Sequence, residues 1–163
     1  MDKKICVIGA GRWGKNHIKT FHELGCLGGI VDNNEDALPG FQKQYPEVTT
    51  FSDFRDAVKD SFDAFTVATP AETHFEIAKV ILNHEKHVLV EKPITLKAKE
   101  ARLLKELAEE KGVNLMVGHL LLFHPAIRKI KALIEAGKIG KLEYIYSKGW
   151  NKIKMAIIDM ICT

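Results

Sequence analysis

Short apolar runs alternate with amphipathic stretches along most of the chain. The apolar runs are continuous, rich in Ile and Val, and predict strands at 4–8, 27–31, 49–51, 64–68, 87–90, 113–117 and 141–146. Apolar residues three and four positions apart predict helices at 12–24 and 73–84, and helices are also expected at 53–59, 95–110, 125–136 and the polar stretch 34–44. Ser52 and Thr95 are the expected N-caps of two of these helices. Pro39 either starts a helix or breaks one.

This order predicts an α/β fold, a doubly wound parallel sheet with helices on both faces. Continuous apolar runs, rather than alternating ones, are typical of strands that are covered on both sides. The 163 residues, 46% of them hydrophobic, suit one globular domain with its own core.

Composition removes several classes of function. The net charge is +3 with both signs mixed, and no basic stripe is interleaved with aromatic residues, so we expect no nucleic-acid partner. No apolar run reaches about 18 residues, and the start lacks a signal-peptide pattern, so we expect no membrane association. The three cysteines form no CxxC pair and predict free thiols in the cytoplasm. The seven histidines show no ligand spacing, so we expect no metal; His17 and His22 are interpreted as surface or packing residues.

Three glycines stand where the first strand meets the first helix. Gly9, Gly11 and Gly14, with Arg12 and Trp13 between the last two, form the spacing G-x-G-x-x-G. The first glycine permits a tight turn, the second lets the backbone approach a diphosphate, and the third lets the helix pack against the strand. Structural turns and the loops of methyltransferases that bind S-adenosylmethionine use similar glycines, so the spacing alone leaves these alternatives open.

The end of the second strand narrows the choice. Asp32 stands directly after this strand and about 20 residues after the glycines, where a carboxylate can accept hydrogen bonds from the adenosine ribose. Asn33 and Asn34 follow, and no cation stands there to meet a 2′-phosphate, so NAD is expected in preference to NADP. The alternative is an ordinary acid at a strand end.

Further motifs resemble those of one enzyme family. They are ATPAETH from Ala68, VEKPIT from Val90, and VGHL from Val117 running into FHP at Phe123. With GRWGKNH they resemble the Gfo/Idh/MocA oxidoreductases, two-domain NAD(P)-dependent dehydrogenases of sugars and cyclitols. The resemblance covers about residues 3–147. It is strongest to the branch that oxidises the 3-hydroxyl of UDP-N-acetylglucosaminuronate in surface-polysaccharide synthesis.

The resemblance implies roles for individual residues. Lys92 matches the catalytic lysine, in a Lys-Pro bond that is commonly cis, and Glu91 matches its neighbour at the nicotinamide. Thr69, Pro70 and His74 match a segment beside the cofactor. His119 matches a second position near the nicotinamide and substrate, and is counted with Lys92 as catalytic.

The chemistry of alcohol oxidation is consistent with a lysine. A base must lie within hydrogen-bond reach of the hydroxyl whose proton leaves. An amine can serve if burial and a nearby positive ring lower its pKa, and a charged amine can still stabilise the developing negative oxygen. The bland alternative for a lysine at a strand end is a solvated cation.

Family members are about twice as long as this chain. We expect a dinucleotide-binding domain at 1–120, a linker helix and first strand of a truncated or missing substrate domain at 121–147, and an atypical tail at 148–163. The tail's apolar residues either cover surface that the missing domain leaves or form a contact in a homo-oligomer. The expected function is the NAD-binding half of a nucleotide-sugar dehydrogenase. The alternative is a non-catalytic NAD(H)-binding or interaction module.

Overall fold

The structure, a computed structural model, describes residues 3–146. The chain divides after Gly118 into two compact units. The first unit contains the whole sheet, and the described part of the second contains a 3₁₀ turn and one helix.

Six parallel strands form one sheet, which confirms the predicted fold class. They are β1 (Ile5–Ile8), β2 (Leu27–Val31), β3 (Thr49–Phe51), β4 (Ala64–Val67), β5 (His87–Val90) and β6 (Leu115–Val117). Their order across the sheet is β3-β2-β1-β4-β5-β6, and every neighbouring pair is parallel. The order reverses direction between β1 and β4, the switch point at which such sheets bind dinucleotides.

The helices of the first unit connect successive strands. They are α1 (Gly14–Glu23), α2 (Leu38–Gln44), α3 (Phe54–Val58), α4 (His74–Asn83) and α5 (Ala98–Lys111), and α6 (Pro125–Glu135) lies in the second unit. Pro39 stands in the first turn of α2, so it starts a helix, following the 3₁₀ turn Glu35–Ala37. Gly112 ends α5 with φ 63°, in the left-handed conformation that glycine adopts readily.

Two hydrophobic clusters cover opposite faces of the sheet. Alternation along β1 directs Cys6 and Ile8 into the larger cluster and Val7 into the smaller one. The larger cluster includes Phe65, Ile81, Leu82 and Leu104, from β4, α4 and α5. The smaller cluster includes Ile18, Ile30, Phe41, Tyr45 and Val48. Both clusters lie against the faces of the sheet, so the carboxyl ends of the strands remain free to build a site.

Two predicted helix caps are wrong. The N-cap of α3 is Asp53, whose Oδ1 accepts a hydrogen bond from the Arg55 N–H at 2.8 Å, because the helix starts one residue later than Ser52 would allow. Helix α5 begins only at Ala98, and Thr95 instead donates its hydroxyl to the Lys97 carbonyl at 2.9 Å. Its side chain therefore stabilises the turn before the helix and satisfies none of the helix's free N–H groups.

The predicted last strand is also wrong. Residues 141–146 adopt no regular structure. A strand forms only where a neighbour accepts and donates its backbone hydrogen bonds, and the described part of the second unit offers none. The predicted tail at 148–163 lies outside the described residues.

Candidate functional site

The carboxyl ends of the strands hold most of the predicted site residues at one edge of the sheet. All strands except β3 are extended by one further backbone hydrogen bond, of 2.8–3.1 Å, from the residue after the strand to the last residue of the neighbouring strand. Donors and acceptors are Gly9 to Val31, Asp32 to Phe51, Ala68 to Ile8, Glu91 to Val67 and Gly118 to Val90. These positions are therefore set by the sheet itself.

The glycine turn is built as its spacing predicts. Gly9 has φ +90°, and a Cβ there would lie 2.9 Å from the backbone of Ala68. A Cβ at Gly14 would overlap the carbonyl oxygen of Gly9, so only glycine lets α1 start this close to β1. A Cβ at Gly11 would meet no protein atom within 4 Å. The protein's own packing therefore does not require glycine at position 11. The missing side chain instead leaves open space above the turn.

Asp32 braces this turn. Its Oδ2 accepts a hydrogen bond from the N–H of Ala10 at 2.8 Å, and its Oδ1 accepts one from the N–H of Asn34 at 2.9 Å. Ala10 is buried, and Asp32 is half-buried. Because each carboxylate oxygen has a second lone pair, Asp32 can still accept hydrogen bonds from a bound ribose.

A cleft of about 490 Å³ opens between the glycine turn and the ends of β2, β3 and β4. Of the predicted cofactor-binding residues it is lined by Gly9, Gly11, Asp32, Asn33, Thr69 and Pro70. Arg12, Trp13, Gly14, His74, Glu91 and Lys92 are not among its lining residues. The open cradle at Gly11, the half-buried carboxylate and the size of the cleft fit the adenosine and diphosphate of a dinucleotide.

The sequence analysis missed Arg55 in this cleft. Arg55 lines it together with Asp32 and Asn33, and its guanidinium lies 4.8 Å from the centre of the Phe54 ring. The residues directly after β2 contain no cation, as expected, but Arg55 brings one to this cleft from another segment. Because β3 pairs with β2, Arg55 after β3 reaches the same cleft as Asp32 although it is distant in the sequence.

Arg12 and Trp13 are exposed beside the turn. Trp13 is 47% exposed and is the residue before α1, so the predicted helix start at position 12 is two residues early. Neither side chain contributes to the core. Both are free to contact a ligand that lies on the amino end of α1.

His74 supports the cofactor segment from below. Its ring is 1% exposed; Nδ1 lies 2.8 Å from the carbonyl oxygen of Pro93, and Nε2 lies 2.9 Å from that of Thr69. His74 therefore links the turn after β4 to the turn after β5 and presents no atom to the surface. The Thr73 hydroxyl donates to the Pro70 carbonyl at 2.8 Å and lies 2.7 Å from the Thr69 hydroxyl.

Glu91 and Lys92 end β5 on the other side of the switch point. The Lys92–Pro93 bond is cis, as the resemblance implies. Lys92 is exposed, whereas Glu91 is 7% exposed and its Oε2 accepts a hydrogen bond from the Lys92 N–H at 3.3 Å. His17 packs against the ring of Phe21, in agreement with its interpretation as a packing residue, but its Nε2 also lies 2.8 Å from Oε1 of Glu91, a contact that the sequence did not predict. No spacing along the chain signals a contact over 74 positions.

His119 is the first residue of the second unit and is exposed. It precedes the 3₁₀ turn Leu120–Phe123. Within this unit the ring Nδ1 of His124 accepts a hydrogen bond from the Ala126 N–H at 3.2 Å, which caps α6.

Residues 3–146 contain no group of three His, Cys, Asp or Glu side chains placed to hold a metal ion. No helix within that range combines the length and the apolar character needed to cross a membrane. Cys6 and Cys26 are free thiols, and burial, with a smaller effect of Asp60, raises the pKa of Cys6.

Comparisons with known proteins agree with this geometry. Residues 3–119 match the Gfo/Idh/MocA family model, described as an oxidoreductase family with an NAD-binding Rossmann fold. The chain is 32% identical over 159 residues to a UDP-N-acetylglucosamine 3-dehydrogenase of Acidithiobacillus ferrooxidans, an alignment that covers 94% of this chain and 47% of that protein. It is 32% identical over 160 residues to a scyllo-inositol 2-dehydrogenase (NAD(+)) of Bacillus subtilis, covering 91% and 44%.

A solved structure is similar as well. The WlbA dehydrogenase from Bordetella pertussis, in complex with NADH and UDP-GlcNAcA, superposes with a TM-score of 0.79 at 26% identity, over 86% of this chain and 44% of that one. The chain thus spans about half the length of the relatives that it matches.

Proposed function

Because the chain belongs to the Gfo/Idh/MocA oxidoreductase family through its NAD-binding Rossmann fold, we propose that it is the NAD-binding half of a nucleotide-sugar dehydrogenase. The observation that carries the proposal is the gathering of the glycine turn, Asp32 and the Glu91-Lys92 turn at one edge of the sheet. Such an edge binds a dinucleotide with its two nucleosides on opposite sides of the switch point.

The side of the edge near β2 would hold the adenosine half. The Asp32 carboxylate would accept hydrogen bonds from the ribose hydroxyls while it keeps those from the N–H groups of Ala10 and Asn34. The diphosphate lies over Gly11, where the first N–H groups of α1 face negative charge. Arg12 is exposed next to this position and adds positive charge.

The side near β5 would hold the nicotinamide, which supplies the hydride acceptor when NAD is bound. We propose that Lys92 contacts the substrate hydroxyl; its backbone is held after β5 by the hydrogen bond from its N–H to Oε2 of Glu91. Its ammonium group can hold the hydroxyl oxygen and stabilise negative charge there, or accept the proton in its neutral form. We propose His119 as a second catalytic residue because it matches a family motif.

We propose that the substrate is UDP-N-acetylglucosaminuronate, that its 3-hydroxyl is the group oxidised, and that the reaction serves surface-polysaccharide synthesis. The name of the Acidithiobacillus relative and the ligands of the WlbA complex support a nucleotide sugar. The inositol dehydrogenase relative is named for a cyclitol, which also carries secondary hydroxyls on a ring. scyllo-Inositol is therefore the alternative substrate to test. The free thiols Cys6 and Cys26 fit a reducing cytoplasm.

Two measurements test the proposal. Calorimetric titration with NADH tests the nucleotide site; no binding would refute it. Incubation with NAD and either UDP-N-acetylglucosaminuronate or scyllo-inositol, followed by NADH absorbance, tests the reaction and its substrate. Lys92→Met should lower turnover by about 10²-fold or more.

A non-catalytic NAD(H)-binding module is the second candidate. The chain spans about half the length of its relatives, and positioning of the substrate supplies a large part of a catalysed rate. NADH binding without turnover of either substrate would favour this candidate.

A further inference from the structure

We infer that His17 is a positioning residue that ties the Glu91-Lys92 turn to the helix that starts at the glycine turn. His17 lies one turn inside α1, and its Nε2 is 2.8 Å from Oε1 of Glu91. The two side chains are only 18% and 10% exposed. The inference rests on the proposed function, because it assigns the two ends of this contact to the two halves of a dinucleotide site.

The Glu91 carboxylate is confined on several sides. Its Oε1 meets His17, and its Oε2 accepts the Lys92 N–H. A Cβ at Gly118 would lie 3.0–3.2 Å from the carboxylate atoms, so only glycine leaves the carboxylate its full space there. The backbone N–H of Glu91 is bonded to Val67. The sheet fixes the Glu91 backbone, His17 fixes its side chain, and that side chain fixes the backbone of Lys92.

The imidazole is itself held in place. The His17 backbone N–H is bonded to the carbonyl of Trp13, and the ring stacks on Phe21 with 6.1 Å between ring centres. A hydrogen bond to a carboxylate is stronger than one between neutral groups, and low exposure protects it from competition by water. Loss of the imidazole would leave a nearly buried carboxylate short of a partner.

The contact joins elements on opposite sides of the switch point. Helix α1 begins at the glycine turn, which would hold the diphosphate, whereas Glu91 and Lys92 end β5, on the nicotinamide side. Removing His17 should therefore loosen the nicotinamide side and spare the adenosine side. A residue with a merely structural role in α1 would affect both sides alike.

Ligand pairs separate these outcomes without any need for turnover. NADH occupies both half-sites, whereas ADP-ribose lacks the nicotinamide. For His17→Ala in the full chain we expect the Kd for NADH to rise about tenfold and the Kd for ADP-ribose to change less than about twofold, measured by calorimetry. His17→Gln should recover most of the NADH affinity, because its side-chain N–H can donate to Oε1 of Glu91. His22→Ala is the matched control, since His22 is on the same helix, exposed, with its ring against Tyr45.

The outcomes are distinct. If His17→Ala weakened the binding of NADH and ADP-ribose equally, or changed neither affinity, the inference for His17 would be overturned. Failure of the unmodified chain to bind ADP-ribose would instead overturn the proposed function. If His17→Ala does not fold, Glu91→Gln provides the second variant, with the same selective loss of NADH affinity expected; unchanged NADH binding in that variant would also refute the inference.

Discussion

Asp32 should serve stability and binding through the same two oxygens. In Asp32→Ala, the N–H groups of Ala10 and Asn34 lose their acceptor. Asn34 is exposed, so water replaces the lost bond there. Ala10 is only 4% exposed, and an unpaired buried N–H costs about 1–3 kcal/mol. At about 3 °C per kcal/mol for a chain of this size, the melting temperature should fall by about 3–9 °C.

Nucleotide affinity should fall in the same variant. A hydrogen bond to a charged group contributes about 1.5–3 kcal/mol, so the Kd for ADP-ribose should rise about 10- to 100-fold. Asp32→Asn keeps the shape but only one acceptor atom, and should lie between the wild type and Asp32→Ala in both measurements. Thermal unfolding without ligand and calorimetric titration with ADP-ribose measure the two effects separately.

Asp36→Ala is the matched control. Asp36 is an exposed acid in the turn after β2, so this variant removes the same charge from the same region. It should leave the melting temperature and the ADP-ribose affinity nearly unchanged. If Asp32→Ala melted and bound ADP-ribose like the wild type, the assignment of Asp32 as both brace and ribose acceptor would be refuted.

Four further variants test other parts of the site and the fold. Gly14→Ala should destabilise the protein by about 2 kcal/mol or more, whereas Gly11→Ala should melt like the wild type yet bind ADP-ribose about tenfold more weakly; similar melting of the two would contradict the packing described. Arg55→Ala should lower the affinity for NADP about tenfold and change that for NAD little, and equal losses would argue against a role beside the 2′-position. Lys3 and the N–H of the next residue hold the pKa of Asp63 below its usual range, so this carboxylate stabilises the fold at neutral pH, and that contribution should vanish as pH falls below about 4. The melting temperature of Asp63→Asn should therefore fall less between neutral and acid pH than that of the wild type. Parallel plots of melting temperature against pH would show that the Asp63 carboxylate does not contribute to stability at neutral pH.

The order of elements and the glycine turn could be predicted from the sequence because both depend on neighbours along the chain. Continuous apolar runs indicated buried strands. The spacing of Gly9, Gly11 and Gly14 indicated a tight turn, backbone open to a diphosphate, and a helix packed closely against the strand. Helix ends were less predictable. Asp53 and Ser52 are both good N-caps, and the choice between them depends on where the backbone turns into α3.

Contacts between distant segments could not be predicted in the same way. Arg55 enters the cleft because β3 pairs with β2, and His17 meets Glu91 because α1 and the residue after β5 lie at the same edge of the sheet. His74 matches a family motif, but only the fold shows that both its ring nitrogens face carbonyl oxygens of two different turns. Periodicity reports which face of an element is buried, whereas partners 74 residues apart are chosen by the packing of whole elements. The sequence thus carried the local chemistry of the site, and the arrangement of the sheet selected which side chains share it.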